Sequence, residues 1–161
     1  MNLDELFKLQ MELDKKIVEQ HALQNRSLVS EKILALQVEI GELANETRCF
    51  KYWSTKKPSD KNVILEEYVD CIHFILSIGL EFNFTDIVVD SVLLDTKLTD
   101  QFISIYIDLN DFMICSSKDH YSTLFEDFLS LGSSIGFSEE DILEHYLRKN
   151  NINHERQASG Y

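Results

Sequence analysis

Helix breakers are nearly missing from this 161-residue chain, which has one proline, Pro58, and five glycines. Proline removes a backbone N–H and clashes with the preceding turn, and glycine costs chain entropy, so their scarcity leaves long stretches free to be helical. Long apolar runs are missing too. None reaches the roughly 18 uncharged residues of a membrane-spanning helix, so no membrane partner is expected. Cysteines are few and odd in number, Cys49, Cys71 and Cys115. They read as free, mostly buried thiols in a reducing, cytoplasmic compartment, not as a disulfide framework. Positive charge is scarce, with 15 Lys and Arg against 28 Asp and Glu and a net charge of −13. That balance argues against binding nucleic acid or an anionic membrane. A small phosphorylated ligand is not excluded, because bound cations invert a local field. The first residues, MNLDELFKLQ, are acidic and amphipathic and are not expected to be a signal peptide.

What is present is helical periodicity. The hydrophobic fraction of 44% suits one folded domain over residues 1–161. The pattern predicts a helix over 3–23, with Leu6, Leu13 and Ile17 on one stripe. A second, over 29–50, carries Ile33, Leu36, Ile40, Leu43, Thr47 and Phe50. The stretch KYWSTKKPSDKN breaks the pattern, and a third helix follows at about 61–81. Only His73 and Ser77 interrupt the apolar run from Cys71 to Leu80, so this helix should be the most buried. Residues 82–97 are ambiguous between a short helix and an extended connection. Further helices are expected at about 99–116, at 119–135 ending near Gly136, and from the cap Ser138 to about Asn150. The segment NINHERQASGY is a polar tail with no core face. The expected fold is an all-α bundle of about five to six helices.

Two carboxylate pairs lie on these helices, Glu39-x-x-Glu42 and Glu67-x-x-Asp70. Spacing of i, i+3 puts each pair on neighbouring turns of one face. Like charges roughly 5 Å apart at an effective dielectric of about 20 repel by ~3 kcal/mol, and a divalent cation removes that cost. Either pair alone reads as an ordinary solvated face. Together, beside apolar stripes and on either side of a basic, aromatic loop, they point to metal. An all-oxygen set suits hard Mg2+, with Mn2+ a possible substitute. Di-iron bundles use two Glu-x-x-His pairs, and here only Asp70-x-x-His73 comes close. His73 on so apolar a helix reads first as a satisfied core residue.

These residues, with Leu43-Ala44-Asn45, Phe50-Lys51-Tyr52-Trp53-Ser54, Leu65 to Asp70 and His73-Phe74, resemble the dimeric all-α dUTPases. That family lies in the MazG-like nucleoside triphosphate pyrophosphohydrolase superfamily. Gln10-x-x-Leu13-Asp14 is similar to the family's uracil-side helix. Lys149-Asn150-x-x-Asn153-x-x-Arg156-Gln157-x-x-Gly160-Tyr161 is similar to its C-terminal phosphate- and nucleoside-binding motif. The resemblance spans most of the chain and is weakest over about 82–135. It implies a MazG-like homodimer that hydrolyses dUTP to dUMP and pyrophosphate with Mg2+. Glu39, Glu42, Glu67 and Asp70 would hold the ions, and Glu42 or Glu39 would orient or deprotonate the attacking water. Gln10, Asp14, Asn45 and Trp53 would meet base and sugar. Lys51, Lys56, Lys149, Asn153, Arg156 and Tyr161 would meet phosphate, with 150–161 ordering over bound ligand.

The residue types suit these roles. A carboxamide such as that of Gln10 offers both the donor and the acceptor that a uracil edge needs. The family often carries Asn where this chain has Asp14. Trp53, the only tryptophan, either stacks on a base or covers the core. Arg156 suits bidentate phosphate recognition. Two other readings stay open. One is a pyrophosphohydrolase for another nucleotide, dCTP or a modified base. The other is a non-enzymatic helical regulatory module.

Overall fold

A computed structural model describes residues 2–160. It holds six helices, α1 Leu3–Gln20, α2 Val29–Thr47, α3 Lys61–Glu81, α4 Leu98–Ile114, α5 Lys118–Ile135 and α6 Glu139–Ala158. No strand occurs among the described residues. The all-α bundle expected from periodicity is the observed architecture.

Local chemistry sets the helix ends. Asn2 caps α1 by accepting from the Glu5 N–H, and Ser117 caps α5 through the His120 N–H. Ser138 and Asp141 form a reciprocal capping box at the start of α6. Gly136 closes α5 in the left-handed region, at φ 97°. Arg48 ends α2 at φ 58°, and its guanidinium then holds the following loop through the Lys56 carbonyl and Ser54 Oγ.

Helix α3 is the centre of the bundle, as its apolar run predicts. Twelve of its residues are buried, including His73 and Ser77. Helix α5 crosses it at two close points. An added Cβ at Gly79 would lie 2.2 Å from the Tyr121 hydroxyl, and one at Gly132 would lie 2.4 Å from that of Tyr68. Each tyrosine donates to a carbonyl of the opposing helix, Tyr68 to Phe128 and Tyr121 to Ile75. Helix α2 runs antiparallel to α3: Lys32 near its start pairs with Glu81 at the end of α3, while Glu39, farther along, meets Asp70.

The structure resolves one open alternative and moves one boundary. Residues 82–97 form no helix. They are an irregular connection tied down by buried Ile87 and by the Val92 N–H donating to Ser130 Oγ. The last helix does not stop near Asn150 but continues to Ala158. Its polar end lies along α1, with Lys16 Nζ donating to the His154 carbonyl at 2.7 Å and His21 meeting Gln157 at 3.0 Å. Polar cross-contacts of this kind leave no apolar stripe to read.

Candidate active site

Glu39 on α2 and Glu67 and Asp70 on α3 each bring a carboxylate oxygen within 4.8 Å of the others. All three are half-buried. The electrostatics match a crowded acidic group. Burial first, then the charges of Asp70, Glu42 and Glu67, push Glu39 up to about 7. Burial, followed by Asp70 and Glu42, also raises Glu67. Asp70 is raised by burial too, although a hydrogen bond from Lys149 works against the shift. Such a group gains by taking up protons or a cation.

The fourth predicted carboxylate, Glu42, is exposed and stands outside the trio, close enough to raise two of its members. The donor set is entirely oxygen. Cys71 beside Asp70 is buried, and burial with the three nearby carboxylates pushes its thiol well above the usual range. It is therefore not a thiolate ligand. A hard divalent ion fits these residues.

Two of the carboxylates, Glu39 and Asp70, line a cavity of about 430 Å3 between α1, α2, α3 and α6. Lys149, Asn153 and Arg156 reach it from α6. Lys149 Nζ donates to Asp70 at 2.7 Å and to Glu66 at 3.1 Å. Burial opposes its charge, but these partners hold its ammonium above the ordinary lysine range. Arg156 Nη1 donates to Asn153 Oδ1 at 3.4 Å.

Farther along α3, past Asp70, the cavity wall becomes Leu13, Ile17 and Phe74 around a polar network. Gln10 and His73 are buried, at 3% and 6% exposure. Gln10 Nε2 donates to Asp14 Oδ1 at 2.7 Å. Gln10 Oε1 accepts from Tyr146 at 3.0 Å and meets His73 Nδ1 at 2.8 Å. Asp14 Oδ2 accepts from Ser77 Oγ and, at 3.1 Å, from Lys32. The Tyr146 ring stacks on His73 with centroids 4.2 Å apart. Burial, aided by the charge of Lys149, lowers the His73 pKa to about 3, so the ring is neutral. Its Nε2 is buried without a partner.

Other predicted residues gather elsewhere. Asn45, Lys51, Trp53 and Lys56 lie at the end of α2 and in the loop after it, outside the cavity wall. Lys51 donates to Asn45 Oδ1. Trp53 is 64% exposed and meets Tyr52 and Phe50 edge to face. Lys56 is exposed. Tyr161 lies outside the described residues.

Sequence reasoning missed Lys32, Ser77 and Tyr146. Ser77 carried a signal, since it and His73 are the polar breaks in the apolar run, spaced i, i+4. Lys32 and Tyr146 carried none, because a lysine near a helix start and a tyrosine in a heptad are ordinary. The family described as dUTPase matches residues 2–161 of the chain. No curated protein matches it.

Proposed function

Because the chain belongs to the dUTPase family and is a dUTP pyrophosphohydrolase, we propose that the α1–α2–α3–α6 cavity binds dUTP with its triphosphate at the carboxylates and its uracil at Gln10. The observation that carries this orientation is the polarity of the cavity along α3. Acids and cations cluster around Asp70, and a neutral hydrogen-bonding group with apolar flanks surrounds His73. Seven residues separate Asp70 from Ser77, about 10 Å of helix, so the two ends suit different parts of one nucleotide.

Glu39, Glu67 and Asp70 would hold Mg2+, joined by Glu42 from the rim, with Mn2+ as a substitute. A divalent ion so bound supplies charge neutralisation for the phosphate oxygens and lowers the pKa of an attacking water. Glu42, on the rim, or Glu39 would accept the water's proton as general base. Lys149 and Arg156 bind phosphate oxygens, and Asn153 donates an amide to phosphate or sugar. Asp14 stands behind Gln10 at the base end. The last turns of α6 close over the nucleotide, as do Asn45 from the end of α2 and Lys51, Trp53 and Lys56 from the loop after it.

An exposed apolar face supports a homodimer. Leu34 and Val38 on α2 and Ile103, Tyr106, Ile107 and Ile114 on α4 are exposed apolar residues of two neighbouring helices. The two helices are held in register by the Tyr106 hydroxyl donating to the Gln37 carbonyl at 3.0 Å. Exposed apolar residues gathered on neighbouring helices suit an interaction site.

A nucleotide panel with and without Mg2+ tests the site. Hydrolysis of dUTP is expected to need the ion and to fall by at least about a hundredfold in Glu67→Ala. Undiminished turnover in excess chelator would remove the divalent ion from the proposal.

A further inference from the structure

Asp14 is tied to its neighbours: its Oδ1 accepts from Gln10, and its Oδ2 accepts from Ser77 and from the Lys32 ammonium. Through these bonds it fixes the direction of the groups it holds. A carboxylate accepts only, so the amide that faces it must present Nε2, and Gln10 Oε1 must face the other way. There Oε1 meets Tyr146 and His73 Nδ1. An amide oxygen accepts only, so His73 carries its proton on Nδ1. Its neutral ring then has one unprotonated nitrogen, Nε2, which is an acceptor and is the ring atom without a partner. A buried lone pair in a cavity wall is stabilised by a donor.

We propose that Asp14 is a positioning residue for base specificity: through Gln10 it locks His73 in the Nδ1–H tautomer, so that Nε2 accepts from a base with a ring N–H. Uracil carries that proton at N3, next to carbonyls that suit the second hydrogen of Gln10 Nε2. Cytosine presents a lone pair at N3 and would set two acceptors against each other. The inference rests on the base end of the cavity being where Gln10 is. Lys32 gives it direction. As a cation it offers no acceptor, so an amide in place of the Asp14 carboxylate must turn its oxygen to Lys32 and its NH2 to Gln10. Gln10 then flips, its NH2 faces His73, and the ring moves its proton to Nε2, the arrangement that suits cytosine.

Steady-state kcat/KM for dUTP and dCTP should be measured in the natural enzyme, Asp14→Asn and Asp14→Asn with Lys32→Met. The ratio of dUTP to dCTP should fall about tenfold or more in the single variant, since a mismatched buried hydrogen bond discriminates at least that strongly. It should recover in the double variant, whose amide is free to face either way. Imidazole 15N shifts of His73 report the tautomer directly and need no variant. The natural protein should show Nδ1–H, and Nε2–H there would overturn the proposal. So would an unchanged nucleotide ratio in a folded single variant. A natural enzyme that does not prefer dUTP would instead overturn the uracil assignment of the cavity, even with the Nδ1–H tautomer in place.

Discussion

Glu39 illustrates how one side chain couples folding, metal and pH. It sits at the edge of the apolar arc of α2, half-buried, and burial first, then the charges of Asp70, Glu42 and Glu67, raise it to about 7. In its proposed role as a metal ligand it must be deprotonated, so protons and cation would compete for it. Below pH 7 the group is mostly protonated in the free enzyme, and Mg2+ affinity should fall by up to about tenfold per pH unit there. Above pH 7 that dependence should flatten. Calorimetric titration in buffers of different ionisation enthalpy checks this, because binding near pH 7 should release about half a proton from this group. A Glu39→Gln variant should bind Mg2+ more weakly and lose that proton release. On the helix wheel Glu39 lies at the edge of the apolar arc and Glu42 just beyond it, a small difference on one helix face. Only the approach of α3 made one half-buried and left the other on the rim.

At the level of elements, the α3–α5 contact rests on two glycines that admit two tyrosine rings. Gly132→Ala would drive a methyl into Tyr68, and Gly79→Ala would do the same to Tyr121. Each tyrosine is buried and bonded across the interface, so neither ring can simply swing away. Overpacking at such a point costs about 1–3 kcal/mol, and urea denaturation should show the loss at both positions. A midpoint unchanged in either variant would mean that the crossing relaxes freely. The α4–α5 pair carries a different device. Burial, with Asp127 and Asp111 adding, pushes Asp108 up to about 7, and its Oδ2 is buried without a donor. An unfolded aspartate titrates near 4. Between about pH 4 and 7 the folded chain therefore holds a proton that the unfolded chain has released. The cost of ionising Asp108 is absent below that window and complete above it. Asp108→Asn should stabilise the protein by about 1 kcal/mol at pH 8, once solvent screening is allowed for, and give no gain near pH 4. Equal gains at both pH values would assign the effect to packing.

For the molecule as a whole, the proposed homodimer would assemble through the exposed apolar residues of α2 and α4. The natural chain should then sediment as a dimer, and a charge among those residues, Ile107→Glu, should leave a folded 18.8 kDa monomer. The sequence by itself determined the helical class, all six helix starts to within a residue, the depth of α3, and the four acids from which the carboxylate trio is drawn. These follow from a period of 3.6, from caps and from composition, all local properties of a chain with almost no helix breakers. The tertiary structure alone decided which acids converge. It also decided that the polar C-terminal segment is helix along α1, and that Asp14, Lys32, Gln10, His73 and Tyr146 form one network. Those residues come from α1, α2, α3 and α6. Hydrogen-bond direction depends on which donor faces which acceptor across helices, and no spacing along a single helix encodes that.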